Sequence, residues 1–352
     1  MEAFWAQIAE NATADHRSVL LAYPRIGRVP RAVQDAKIPL IEKAVRASGF
    51  AATKSNARLI RQNRVDSIYL TDWPALSLQY LVWRLLGVRR IVLHDHTSGD
   101  RVRAGSLSRK IKRVLHALRI FSPTLCVGVA DHVRQKHIER GADPNRCVTV
   151  TNGIAPFDIR DSRAATRQAI GVPEDAIIFA STGRATRLKG LDFAVRVIAA
   201  LSNVNDKIHF VHCGEGPDLE RFRQLAVECG VAGRVHFLGR RNDVYDILSA
   251  SDGAFHPSLT EAMSLAILEY MCAGLPVVVP DIPSVRLAIE DGQTGIVYPR
   301  GDIDGAAKAL ARLASEREQR QILGGAARRS CIEKYSLAVT RRQFAERVLP
   351  QL

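Results

Sequence analysis

Between residues 177 and 298 short apolar runs alternate with stretches of helical periodicity, and this alternation restricts the fold more than any other feature. Strands are expected at Ile177–Ser181, Lys207–His212, Arg234–Leu238, Gly253–His256, Pro276–Val279 and Gly295–Tyr298. Helices are expected between them, at Leu191–Leu201, Leu219–Cys229, Val244–Ser249, Ala262–Ala273 and Val285–Glu290. Strand–helix succession of this kind predicts a parallel sheet covered by helices on both faces. The unbroken apolar run Val277–Val279 fits a strand buried on both sides. The first half repeats the pattern more loosely, with strands at Ser18–Tyr23, Ser67–Leu70, Ile91–Leu93 and Leu125–Val129. The polar stretch Ile154–Arg167, which contains Pro156, is the expected linker. A chain of 352 residues is too long for one compact domain and suits two. The fold class is therefore α/β, with two doubly wound, Rossmann-like domains facing across a cleft. In such folds ligands gather at the carboxyl ends of the strands.

Charge separates the halves. Residues 1–160 hold 26 Lys and Arg against 13 Asp and Glu, whereas residues 161–352 hold 24 against 23, so almost all of the net +14 lies in the first half. Seven Lys or Arg and no acid fall between Arg101 and Ala130. Such a field attracts nucleic acid, acidic lipid or phosphorylated substrates, or serves solubility alone. A nucleic-acid reader is not expected, because no reading module is recognisable and aromatic residues make up only 6%. The six cysteines lie far apart without a C-x-x-C pair, which suits buried thiols in a reducing compartment. No apolar run approaches 18 residues, and the first fifteen residues carry Glu2, Glu10 and Asp15. A cytoplasmic protein is the expectation.

Two carboxylates, Glu261 and Glu269, stand eight apart in S-L-T-E-A-M-S-L-A-I-L-E-Y-M-C-A-G-L-P-V-V. If the helix starts near Glu261, both project from nearly one face. The backbone N–H groups of Ala262, Met263, Ser264 and Leu265 would then be unpaired donors, suited to a phosphate or sugar hydroxyls. Carboxylates accept bonds from vicinal hydroxyls, so the pair suggests a sugar nucleotide, although two glutamates so spaced also occur on solvated helix edges. Upstream, S-T-G-R-A-T-R-L-K-G follows a strand. Gly183 permits a tight turn there, and Arg184 and Lys189 offer cations to a diphosphate. H-C-G-E-G-P, which contains Gly214, R-V-H-F-L-G and S-D-G-A-F-H-P-S each stand at a strand's carboxyl end, and V-T-N-G-I closes the first half.

In this order and spacing the motifs resemble the retaining glycosyltransferases of family 4, whose fold is called GT-B. The resemblance runs over residues 60–340 and is most specific over 177–299. It implies a basic acceptor-side domain at 1–158, a donor-nucleotide domain at 159–334, and a closing helix at 335–352 that returns toward the first. It further implies that Glu261 bonds the donor sugar's hydroxyls and Glu269 the ribose, while Arg184 and Lys189 hold the diphosphate as it leaves. His96, in I-V-L-H-D-H-T-S-G, matches the histidine that the family sets beside the transferred sugar; His94 competes for that place. Asp95 and Asp100 lie nearby without an assigned role. The implied donor is a UDP- or GDP-linked sugar, the acceptor a glycan or lipid-linked molecule, and no cofactor or metal is expected.

The chain also departs from the family pattern. Where the family commonly shows E-G-F-G-L, this sequence has E-A-M-S-L, so Ala262 and Ser264 narrow the space for the sugar. The family's opening strand and Gly-rich loop have no counterpart before Ser18, and a start set too far downstream is the expectation, since a lost central strand would strand backbone groups. The segment Leu107–Ile120 places Leu107, Ile111, Leu115 and Leu118 on one stripe among basic residues. It suits an anionic membrane surface or a packed surface helix equally. Three functions remain open: a hexose-transferring enzyme of cell-envelope polysaccharide or glycolipid synthesis, a catalytically silent sugar-nucleotide binder, and, on charge alone, a nucleic-acid-binding protein.

Overall fold

The computed structural model describes residues 2–23, 29, 31–43, 45, 50–98, 114–116, 118–159, 163–202 and 204–352. The chain divides into two compact units, one running to Thr151 and including Ala338–Leu352, the other Asn152–Leu337.

In the first unit the order is α1 (Glu2–Ala14), β1 (Leu21–Tyr23), α2 (Arg31–Asp35), β2 (Leu40–Glu42), α3 (Phe50–Gln62), β3 (Ser67–Thr71), α4 (Leu78–Leu85), β4 (Arg90–Asp95), β5 (Leu125–Gly128), α5 (Asp131–Glu139) and β6 (Cys147–Thr149). All pairings are parallel, but they form two pieces: β1 pairs with β2, and β3-β4-β5-β6 form a separate four-stranded sheet. A cavity of about 420 Å³ is lined from both pieces, by Leu21 and Ile38 on one side and Val65 and Tyr69 on the other, with Ile8 and Ala12 of α1. Side chains bridge what backbone does not. Arg17 donates through Nη2 to Asp66 Oδ1 (2.6 Å) and Ser67 Oγ (2.8 Å), and through Nη1 to the Leu352 carbonyl (2.6 Å).

In the second unit follow α6 (Arg163–Ala169), β7 (Ile177–Thr182), α7 (Leu191–Ala200), β8 (Ile208–Cys213), α8 (Leu219–Glu228), β9 (Val235–Phe237), α9 (Val244–Ser249), β10 (Gly253–Phe255), α10 (Leu265–Cys272), β11 (Val277–Pro280), β12 (Gly295–Tyr298), α11 (Ile303–Ser315) and α12 (Arg317–Tyr335). Six strands form one parallel sheet in the order β12-β11-β10-β7-β8-β9. Successive residues of a strand enter opposite cores: Phe179 and Phe210 join Phe222 and Phe255 on one side, and Ile178 and Val211 join Ile170 on the other. Each such fully buried side chain contributes about 1.5–3 kcal/mol. The last helix, α13 (Leu337–Arg347), packs within the first unit, where its buried Phe344 stacks on Phe4 with ring centroids 4.6 Å apart.

Two local expectations fail. Val285–Glu290 forms no helix; its backbone bonds close turns, from Val285 N to Ile282 O and from Ile289 N to Arg286 O. The expected linker turns helical at Arg163, and Arg167 is only 2% exposed. Its guanidinium donates to the carbonyls of Ala250, Glu174 and Ala176 and to Asp252 Oδ2 (2.7 Å). Asp252 also accepts from Arg163 (2.5 Å) and from the Ile178 backbone N–H (2.8 Å), so a polar segment became core because its charge is fully partnered. Of the basic segment Leu107–Ile120, residues 107–113 and 117 lie outside the described residues, as does Asp100.

Candidate functional site

The loops after β7, β8 and β10 meet at the carboxyl edge of the second sheet. Two glycines permit this. Gly214 has φ +156, and a Cβ there would come 1.7 Å from the Gly183 carbonyl oxygen; Gly190 has φ +63, and its Cβ would come 2.1 Å from the Pro257 carbonyl oxygen. No side chain fits at either position. Backbone bonds fasten the same junction, from Gly183 N to Cys213 O (3.1 Å) and from Ala185 N to Glu215 O (2.9 Å).

The junction carries Lys189 and Arg184 on the β7 loop and Glu261 on the β10 loop. Lys189 Nζ donates to Glu261 Oε1 at 2.6 Å, and His256 Nε2 lies 2.9 Å from the same oxygen. Burial alone would raise the Glu261 carboxyl, but the His256 hydrogen bond and charge, with Lys189, outweigh it and hold the group down at about 2. Glu269 behaves oppositely. Burial raises it, and the hydrogen bond it accepts from Thr182 Oγ1 at 3.2 Å does not compensate. Arg184 is exposed on the same loop. Tyr270 OH accepts from the Thr182 backbone N–H at 2.6 Å and fixes the end of β7 against α10.

The expectation that both glutamates lie on one helical face is overturned. α10 begins at Leu265, and Glu261 belongs to the turn before it. Ser264 is the N-cap, its Oγ accepting from Ile267 N at 3.4 Å, so the free donors of the helix start lie from Leu265 onward. Ala262, Met263 and Ser264 are buried, while Leu265 is half exposed. Asn152, from V-T-N-G-I, holds this turn: its Nδ2 donates to the Met263 carbonyl at 3.0 Å.

In the first unit, β4 delivers His94 and the residues after it. His94 is fully buried, its Nδ1 2.5 Å from Tyr69 OH, and burial with the neighbouring His96 pushes its pKa well below the usual range. It is a neutral core residue. His96 lies past the strand end with its side chain 19% exposed; its backbone N–H donates to Asp72 Oδ1 at 2.7 Å, and its Nδ1 is 3.5 Å from the same atom. Asp72 adopts φ +53, an uncommon conformation for a non-glycine residue. Asp95, which lacked a role, accepts from Thr97 N and Oγ1 (2.9 and 2.6 Å) and lies 3.0 Å from Lys136 and 2.9 Å from His137. Burial opposes its ionisation, yet His137, Thr97 and Lys136 together keep it far below the carboxylate range. Among the described residues no three His, Cys, Asp or Glu gather as a metal-ion site.

Two family models match the chain, one after the other: Glycosyltransferase Family 4 over residues 1–156, and Glycosyl transferases group 1 over residues 162–330. The chain belongs to the family 4, group 1 glycosyltransferases. Its GT-B fold is shared with a glycosyltransferase from Rickettsia africae (TM-score 0.81, 16% identity, 98% of this chain and 93% of that one). It is shared too with Anabaena HepE, solved with UDP and glucose (TM-score 0.79, 18% identity, 99% and 96%). By sequence the chain is 34% identical to the D-inositol 3-phosphate glycosyltransferase of Saccharomonospora viridis over 199 residues, 53% of this chain and 46% of that protein. It is 32% identical to the lipopolysaccharide glucosyltransferase WaaG of Escherichia coli over 170 residues, 46% and 44%. The chain thus spans about half the length of the curated relatives it matches.

Within this family 4 chain the E-A-M-S-L departure has a visible consequence. Ser264, in place of a glycine, puts its Oγ 3.4 Å from His256 Nε2 while capping α10. His256, Tyr270 and Thr182 were not singled out by sequence. His256 stood in a quoted motif, but a lone strand-end histidine carries no periodicity to distinguish it from a core residue.

Proposed function

We propose that the protein is a retaining glycosyltransferase that moves a hexose from a nucleotide-diphosphate sugar to a glycan or lipid-linked acceptor without a resident metal. The observation that carries this reading is the Lys189–Glu261–His256 cluster on glycine-packed loops at the carboxyl edge of the second sheet. In this reading Lys189 and Arg184 meet the diphosphate and offset the charge that grows on it as the bond to the sugar breaks. Glu261, held ionised, accepts from the sugar's hydroxyls, and Glu269 accepts from the ribose. His96, whose backbone N–H donates to Asp72 and whose Nδ1 lies 3.5 Å from the same oxygen, takes in this reading the role beside the transferred sugar that the family resemblance implies. The Anabaena neighbour's complex with UDP and glucose supports a nucleotide-linked donor, UDP being favoured over GDP. Work at the inner face of a cytoplasmic membrane suits a lipid-linked acceptor and the basic first half; among the described residues no helix is long and apolar enough to cross a membrane.

A thermal-shift screen with UDP, GDP, ADP and their sugar conjugates, with and without EDTA, tests this. Ligand at one hundred times its dissociation constant should stabilise by about 2.7 kcal/mol, and EDTA should change nothing. No shift with any nucleotide overturns the reading. The divided sheet of the first unit favours one alternative, a silent sugar-nucleotide binder, which binds the donor without turnover.

A further inference from the structure

Both partners of Glu261 converge on one oxygen. Lys189 Nζ and His256 Nε2 contact Oε1, and among the described residues Oε2 receives no side-chain bond. The two partners are not equivalent. Lys189 is partly exposed at the end of a flexible stem on the β7 loop, with its side chain 25% accessible. His256 is 2% exposed and directly follows β10, with its backbone N–H bonded to the Val278 carbonyl at 2.9 Å and its ring 5.9 Å from that of Tyr270. Carboxylate Oε1 only accepts, so Nε2 carries the imidazole proton and Ser264 Oγ is left to adjust to it. Under the functional reading above, Lys189 turns to the diphosphate when donor binds, and Glu261 then loses one of its two restraints.

We propose that His256 is the positioning residue of the donor-sugar subsite: it anchors Glu261 Oε1 while Lys189 is engaged by phosphate, leaving Oε2 to accept from a sugar hydroxyl. This rests on the assignment of the cluster to a sugar nucleotide. It accounts for a fully buried imidazole beside a carboxylate that already has a cation, and for the serine at position 264. The same anchoring separates the two glutamates, because among the described residues the side-chain bond that Glu269 receives comes from a threonine hydroxyl.

The test compares His256→Leu with His256→Gln in the full chain, since the Gln amide nitrogen reaches close to where imidazole Nε2 stands. His256→Leu should lower kcat for sugar transfer or donor hydrolysis by roughly 100-fold, the scale of a misplaced reacting group. Affinity for free UDP should stay within about twofold in both variants, because binding the diphosphate falls to Lys189 and Arg184. His256→Gln should recover most of kcat. In the ligand-free protein, carboxyl-labelled Glu261 followed by carbon NMR should titrate higher in His256→Leu than in the parent or His256→Gln, with Lys189 the remaining charged group facing it. Equal kcat losses in the two variants, a parallel fall in UDP affinity, or an unmoved Glu261 titration would each overturn the proposal. A parent chain that binds no nucleoside diphosphate overturns the functional reading instead, and the Glu261 titration then still decides whether His256 anchors the carboxylate.

Discussion

The second unit joins six strands in one ladder, whereas the first divides its six described strands into two and four. Each sheet is parallel throughout, so the difference lies in what holds neighbours together. At the centre of the second sheet β10, β7 and β8 lie side by side, and their following loops touch closely enough that only glycine fits at Gly190 and Gly214. The cluster of Lys189, Glu261 and His256 depends on that adjacency. In the first unit β1 and β3 face a cavity, and Arg17 does with side-chain bonds what a strand does with backbone. A continuous sheet places loop residues by its own regularity; a divided one leaves placement to individual polar contacts, which solvent weakens.

The largest expected effect contrasts two ion pairs. Arg167 and Asp252 are buried, with side-chain exposures of 2% and 8%, whereas Arg17 and Asp66 are at 32% and 59%. Asp252→Ala leaves a buried guanidinium and the Ile178 N–H without their carboxylate, at an expected cost of about 3–5 kcal/mol. Asp66→Ala should cost no more than about 1 kcal/mol. Denaturant midpoints measure both, and comparable losses would break the contrast between the units.

Acid sharpens it. Glu261 falls from an ordinary 4.5 to about 2 on folding, so its contribution is complete above pH 4.5 and is lost as pH drops toward 2. A shift of that size corresponds to about 3 kcal/mol. Stability measured against pH should therefore fall less steeply between 4.5 and 2 in Glu261→Gln than in the parent. Asp66 is also lowered, the Arg17 bond outweighing its burial, but it is mostly exposed and screened, so Asp66→Asn should leave the slope nearly unchanged.

Ligand binding separates the units next. Arg184→Ala or Lys189→Ala should weaken UDP binding by about 1.5–3 kcal/mol, the range for a hydrogen bond to a charged group. His96→Ala, in the other unit, should leave UDP affinity alone and reduce transfer. Calorimetry against turnover reads the split, and a UDP deficit in His96→Ala equal to that of Lys189→Ala would refute it.

The same contrast governs what the sequence disclosed. In the second unit every expected strand formed with ends shifted by no more than one residue, because long apolar runs buried on both faces have no competing arrangement. In the first unit β2 and β6, three residues each, carried too little apolar signal to be foreseen. Arg167 reads as linker in the sequence because polarity marks surface unless a partner such as Asp252, 85 residues away, neutralises it. The spacing of Glu261 and Glu269 was legible, but their shared face was not, since the Ser264 cap starts α10 three residues later than expected. The Lys189–Glu261 bond spans 72 residues, and His256 beside it gave no local sign of its role.

The smallest expected effect probes the divided sheet itself. The facing edges of β1 and β3, with Leu21, Ile38, Val65 and Tyr69 around the cavity, offer backbone and apolar partners to one more parallel strand. Fusing a five-residue β-branched segment and a Gly-rich turn ahead of Glu2 would place that strand so that α1 becomes its crossover to β1. Burying each side chain contributes about 1.5–3 kcal/mol. Ordering each residue's backbone costs about 1–2 kcal/mol, so most of the gain cancels. A net of about 1 kcal/mol should raise Tm by roughly 2–4 °C, with hydrogen exchange slowing at Leu21–Tyr23 and Ser67–Thr71. The strand must also displace Arg17 from Asp66 and Ser67, so the fusion should abolish the small penalty of Asp66→Ala. An extended chain with unchanged Tm, unchanged exchange at both edges and the Asp66 penalty intact would show that the cavity does not admit a strand, and that the two pieces of the first sheet are separate by design of their own side chains.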